Sequence, residues 1–301
     1  MNDNNNINIK LKSRCKYHKD IIYFSIVLKD GRFATCSNDG SIIIYNKMTF
    51  KRDLIIKEHV GSVNCLLQLS SGMLASCSYD KTIKIFDIKY NNYQLFQTIN
   101  YTDSIKRINE LRNKNLVSCC CDGNIIFYSK DNNNKYIKNY QIKTKGVTSY
   151  SVVQTKENEM CYYEDFSICF YDLIEKKIIN KLYGIIMSGN CLNLITKDLL
   201  VITGREKLYV VNVNQHNLVR EILAPDSYFF YVSCKLNKNT VLTGDYFGQI
   251  KLWRIDGDDL KLISTTKAHN KCIYVLKKLK DGSILSSSLD NGEFKIWQYC
   301  P

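Results

Sequence analysis

Leu74 to Asp87 reads LASCSYDKTIKIFD: a short apolar run, a polar turn at Tyr79-Asp80-Lys81, then a second run that ends on an aromatic residue and Asp. Two such runs rich in β-formers, separated by a turn of this composition, make a β-hairpin. The pattern recurs along the chain. Its second arm appears as SIIIY (Ser41 to Tyr45), TIKIF (Thr82 to Phe86), NIIFY (Asn124 to Tyr128), SICFY (Ser167 to Tyr171), KLYVV (Lys207 to Val211), QIKLW (Gln249 to Trp253) and EFKIW (Glu293 to Trp297), whose last residues lie 41, 42, 43, 40, 42 and 44 positions apart. FATCSNDG (Phe33 to Gly40) and LVSCCCDG (Leu116 to Gly123) repeat the first arm and turn. Asp39-Gly40, Asp122-Gly123 and Asn291-Gly292 read as tight two-residue turns that accept positive φ.

Upstream of each hairpin stands one more apolar strand, such as VNCLLQL (Val63 to Leu69), and downstream a more polar one, such as YQLFQTI (Tyr93 to Ile99). Four strands in a unit of about 40 to 45 residues describe the blade of a propeller, whose sheets pack face to face around an axis. Seven units in phase predict an all-β, seven-bladed propeller with four antiparallel strands per blade. Only Gln298 to Pro301 follow Trp297, so blade seven needs an outer strand from elsewhere. Ile7 to Leu11, alternating apolar and polar, can supply it and close the ring without an open edge. The expected organisation is a polar tail over 1–6 and one propeller over 7–301, with 7–13 as the closing outer strand of blade seven.

From Ile7 to Gln298 the chain resembles the WD-repeat (WD40) family, whose repeat carries a His loop before the innermost strand, an Asp in the hairpin turn and a Trp-Asp pair ending the third strand. Glu58-His59 and Ala268-His269 occupy the His loop, each His four residues before an apolar strand start at Val63 or Ile273. Asp39, Asp80, Asp122 and Asp165 stand six residues before the aromatic slot, which holds Tyr45, Phe86, Tyr128, Tyr171, Val211, Trp253 and Trp297. Only Phe86-Asp87 and Tyr171-Asp172 keep the following Asp, and repeat five departs furthest, with Arg205 and Glu206 in its turn.

The resemblance implies a hydrogen-bonded chain inside a blade: loop His, turn Asp, a Ser or Thr of the second strand, and the indole. Blade seven would build it from His269, Asp290, Ser286 and Trp297; blade two from His59, Asp80 and Ser76, ending at Phe86, which has no N–H to give. The set looks like a Ser-His-Asp triad, but buried polar groups that satisfy one another have a complete structural role, and a nucleophile also needs an open cleft and an oxyanion hole. Phosphate-loop, dinucleotide, metalloprotease and nucleophile-elbow motifs are absent, and only four His occur. Accordingly no catalytic residue, cofactor or small-molecule substrate is expected. The 13 Cys fall in apolar segments without C-x-x-C spacing, and the consecutive Cys119, Cys120 and Cys121 must alternate across a strand, so they read as reduced core thiols with no metal bound.

What remains is surface. Hydrophobic residues make up 45% and charged residues 24%, an ordinary soluble composition, and no apolar run approaches the roughly 18 residues of a membrane span. The polar start is unlike a signal peptide, which predicts an intracellular protein, cytoplasmic rather than nuclear, with no membrane insertion. The resemblance places partner contacts on the narrow face of the ring. One set lies just inside each innermost strand: Tyr23, Asn64, Lys106, Thr148, Tyr231 and Tyr274. The other precedes the turn Asp: Asn38, Tyr79, Cys121 and Glu164. Tyr231, Tyr274, Tyr23 and Tyr79 fall on the successive blades six, seven, one and two, with Lys106 beyond. The function this implies is a non-catalytic scaffold or adaptor that binds a protein or peptide segment, within a larger complex. A net charge of +13 makes a nucleic-acid or ribonucleoprotein partner the alternative. Lys10, Lys12, Arg14 and Lys16 read as one solvated edge of the closing strand, with Ile9 and Leu11 on its other side.

Overall fold

The computed structural model describes residues 8–145, 151–223 and 229–300. These residues contain strands and no helix, in seven four-stranded sheets. Blade one runs Ile22–Val27, Phe33–Ser37, Ile42–Tyr45 and Arg52–Ile56 from the axis outward, and blades two to six repeat this meander. Blade seven consists of Ile273–Lys278, Ile284–Ser288, Glu293–Cys300 and, as its outer strand, Asn8–Lys16.

Second strands are buried throughout, as in Phe33–Ser37, Leu74–Ser78 and Leu116–Cys120. Both faces of each sheet are covered by neighbouring blades, so these strands read as continuous apolar runs rather than alternating ones. Outer strands such as Tyr93–Asn100 face solvent on one side and are correspondingly mixed. Seven apolar clusters fill the seams between neighbours. Ala34, Ile44, Leu66 and Phe86, for example, join blades one and two, while Phe33, Tyr45, Leu285 and Phe294 join blades seven and one. Cys119 and Cys120 enter opposite seams, as strand alternation requires. Around the axis the innermost strands enclose a channel of about 370 Å³, to which all seven blades contribute.

Closure follows from antiparallel pairing of Asn8–Lys16 with Glu293–Cys300, with Ile9 opposite Tyr299, Leu11 opposite Trp297 and Lys16 opposite Glu293. The closing strand is longer than the expected 7–13, running on to Lys16; the tail 1–6 and Ile7 lie outside the described residues. A bulge after Leu11 breaks the alternation, so Ile9 is buried but Leu11 is 43% exposed. Lys12 turns towards Asp281 and lies over the Phe50 ring.

The hairpin turns also differ from expectation. Ser37 N–H reaches Ser41 C=O at 3.3 Å across Asn38-Asp39-Gly40, a three-residue loop in which Gly40 carries the positive φ (77°) and Asp39 does not. That frees the Asp39 carboxylate to accept the Ser41 and Lys19 backbone N–H groups. A two-residue turn does occur in blade four, but at Asp165-Phe166, both with positive φ.

Candidate functional site: hydrogen-bonded blades and an aromatic arc

In blade two His59 Nδ1 is 2.7 Å from Asp80 Oδ2, and Nε2 is 2.7 Å from Ser76 Oγ. A carboxylate only accepts, so Nδ1 carries the proton. Thr82 adds a hydroxyl donated to Asp80 at 2.6 Å. Against the cost of burial, the hydrogen bonds from His59 and Thr82 hold the Asp80 carboxyl well below the usual carboxylate range. Ser76 is fully buried, so its hydroxyl serves the imidazole and not a substrate.

Blade one builds a longer chain that the sequence reading did not assign. His18 Nδ1 is 3.1 Å from Asp39 Oδ2 and 3.0 Å from Ser41 Oγ, Nε2 is 2.7 Å from Thr35 Oγ1, and Thr35 Oγ1 lies 3.1 Å from Tyr45 OH. Tyr45 thus takes the place of the indole. The signal was available: His18 stands four residues before the strand start at Ile22, the same offset as His59 and His269. In blade three Tyr101 fills the His position and donates to Asp122 at 2.8 Å.

Blade seven departs from expectation at Asp290. Trp297 Nε1–H donates to Ser286 Oγ at 2.7 Å, and Ser286 Oγ lies 2.7 Å from His269 Nε2, but His269 Nδ1 is buried without a partner. Asp290 instead accepts from Ser288 Oγ and faces Lys271. The cause is one extra residue: Asp290 precedes Trp297 by seven positions rather than six, and Gly292 stands where blades one and two place Ser41 and Thr82. Burial, reinforced by the Lys295 ammonium, lowers the His269 imidazole to about 4, with Asp290 only partly opposing. In blade four the expected turn Asp165 is likewise displaced. Glu164 does its work, buried and accepting from Lys145 N–H and Lys181 Nζ, so it is no part of an exposed contact set.

On the narrow face, Tyr23, Asn64, Lys106, Tyr231 and Tyr274 share one local cause. Each is the extra residue of a β-bulge in its innermost strand, between Ile22 and Phe24, Val63 and Cys65, Ile105 and Arg107, Phe230 and Val232, and Ile273 and Val275. A bulge re-aims the side chain it carries. The rings of Tyr231 and Tyr274 stack at 5.4 Å, and Tyr274 meets Tyr23 at 6.1 Å. Tyr23 OH donates to Asn38 Oδ1 at 3.3 Å. Tyr79, 41% exposed, lies beneath the Lys106 ammonium, which is 4.1 Å from its ring centre and also contacts its hydroxyl. Burial pushes the Tyr274 phenol up to about 12 and raises Tyr23 and Tyr231, so these hydroxyls stay protonated donors.

Asn64 differs from this expectation: it is buried, and Nδ2 donates to Ile105 C=O at 2.8 Å, tying blade two to blade three. Thr148 lies outside the described residues. The arc extends further than the aligned positions, through Phe229, 6.0 Å from Tyr231, to Tyr246 and Phe247 in the turn of blade six, both nearly half exposed. The Arg205 guanidinium lies over Phe229. Two adjacent aromatics inside a hairpin turn, where polar residues are the rule, were the available signal. Among the described residues no three of His, Cys, Asp and Glu gather as a metal site, and no helix is long and apolar enough to cross a membrane.

Residues 50–87 match the family model described as WD domain, G-beta repeat. That span takes the outer strand of blade one with the first three strands of blade two, the same offset by which Asn8–Lys16 completes blade seven. The chain is also similar to WD repeat-containing protein 41 of Mus musculus, 30% identical over 78 residues that cover 23% of this chain and 17% of that protein. With seven four-stranded sheets the chain is a seven-bladed β-propeller, and its residues 50–87 are similar to the repeat from which WD-repeat propellers are built. Such propellers are generally non-catalytic scaffolds for protein interaction.

Proposed function

We propose that this propeller is a non-catalytic adaptor that docks a protein segment on the aromatic arc of its narrow face. The observation that carries the reading is the contact of Tyr231, Tyr274 and Tyr23 across three blades, on bulges that hold them in place before any partner arrives. Preformed anchors reduce the ordering cost of binding, and tyrosine joins a large apolar ring to a hydroxyl that still bonds at a wet rim. A reducing cytoplasmic setting suits the buried free thiols. Fluorescence tagging that finds the protein outside the cytoplasm would remove that part.

Tyr23 and Tyr79 make the best probes, since Tyr274 is partly drawn into the seam of blades seven and one. Tyr23→Ala and Tyr79→Ala should each weaken capture of the native partner from cell extract, by about 1 to 4 kcal/mol, with an unchanged melting midpoint. Lys10→Glu, on the outer strand, should leave capture intact. Capture that resists both tyrosine changes but is lost on nuclease treatment, or that falls steeply with salt, would transfer the role to nucleic acid.

A further inference from the structure

The flank of the ring between blades three and four holds a second concave feature, a groove of about 370 Å³. One wall is the end of the outer strand of blade three, Tyr136–Lys143, and the other is the hairpin and outer strand of blade four. Five lysines line it, Lys143, Lys145, Lys176, Lys177 and Lys181, against one acidic residue, Glu164. Glu164 is already committed: it is buried and pairs with Lys181 at 3.0 Å. Lys177 pairs with Glu175, outside the groove lining. Lys143, Lys145 and Lys176 form no ion pair among the described residues. The Lys176 ammonium lies 4.4 Å from the Tyr140 ring centre, and that ring stacks on Phe127 at 4.2 Å.

Residues far apart in sequence therefore bring like charges into one concavity, an arrangement whose self-repulsion an anion relieves. A volume of this size is that of a small-ligand pocket rather than a track for a polymer. Tyr162 and Tyr171 are buried, and Tyr140 is covered on one face by Phe127 and approached by Lys176, which leaves no free ring on which unpaired bases could stack. Ammonium groups on flexible stems act as point charges and accommodate phosphates in several orientations. We infer that the groove between blades three and four binds a compact polyanion bearing two or more phosphate groups, free in solution or as a lipid headgroup.

The test uses the full chain and titration calorimetry with inositol hexakisphosphate and tripolyphosphate at moderate salt. One saturable site is expected for the first and a weaker one for the second. Lys143→Ala and Lys176→Ala should each weaken it about fivefold to tenfold, consistent with one lost charged contact, while Lys10→Ala has no effect and all variants melt with the wild type. Sedimentation with vesicles containing phosphatidylinositol bisphosphate, against phosphatidylserine vesicles of matched charge, identifies the source. Pelleting with the former alone, lost in the lysine variants, supports a lipid headgroup; calorimetric binding without pelleting supports a soluble ligand. The inference is overturned by no saturable binding in either arm, by binding that survives the combined Lys143→Ala and Lys176→Ala changes, or by single-stranded RNA binding at these lysines that inositol hexakisphosphate does not displace.

Discussion

The unpartnered Nδ1 of His269 sets the sign of a pH effect. Paired with Asp290, the imidazole would be favoured as the cation and blade seven would lose stability as pH rises through its raised pKa. With Nδ1 buried alone and the pKa lowered from 6.5 to about 4, the folded state holds neutral His while the unfolded chain takes up a proton. Stability from this group is then fully present above the unfolded value of 6.5 and is lost as pH falls towards about 4. Integrating the linkage between pH 7 and pH 4.5 gives a loss of about 2 kcal/mol. The perturbation is His269→Gln, which can still bond Ser286 but does not titrate. Urea unfolding of both proteins at matched pH, followed by tryptophan fluorescence, measures the difference and cancels every titration the two share. We expect the wild type to be the more stable at pH 7, with its advantage shrinking by about 2 kcal/mol at pH 4.5. An advantage that grows on acidification would show that His269 is a stabilised cation, and the account of the long blade-seven turn would fail.

Replacing His18 with Ala should destabilise the fold by about 1 to 3 kcal/mol, as should His59→Ala, because each leaves a partly buried carboxylate and a buried hydroxyl short of a partner; an unchanged unfolding midpoint for His18→Ala would remove blade one from the set. Gly248→Ala should cost more than about 1 kcal/mol, since Gly248 has φ +77° and a Cβ there would stand 2.2 Å from His269 C=O; thermal melting reads it, and a neutral result would count against the close packing of that turn on the next His loop. Deleting residues 1–16 should bare the edge of Glu293–Cys300, lowering the melting midpoint and promoting aggregation; light scattering and a melt like the full chain's would refute closure by this strand.

Much of the architecture is legible because blade repeats are local. Spacings of 40 to 44 residues between aromatic slots, apolar second arms and turn Asp residues each arise from a hairpin whose pairing is short-range. The His chain of blade two could be read as well, since His59 in the entering loop, Ser76 on the second strand and Asp80 in the hairpin turn sit at fixed offsets within one blade. Even the missed His18 obeys the offset. It was hidden because its blade begins just after the closing strand, so the loop had no preceding repeat to align with.

What the sequence did not disclose depends on how blades meet. A single added residue in the blade-seven turn moved Asp290 off His269, and a two-residue turn in blade four handed the work of Asp165 to Glu164. Bulges decided which innermost residues face outward. At Tyr23, Tyr231 and Tyr274 they assembled an aromatic arc, while at Asn64 the same bulge sent an amide into the neighbouring seam. Phe229, Tyr246 and Phe247 joined the arc through contacts within blade six, five lysines met in one groove where blades three and four sit side by side, and ring closure set Tyr23 against Tyr274. Period-two strands and their turns are set by neighbouring residues along the chain, whereas the direction of a bulged side chain and the company it keeps are set by packing across a seam.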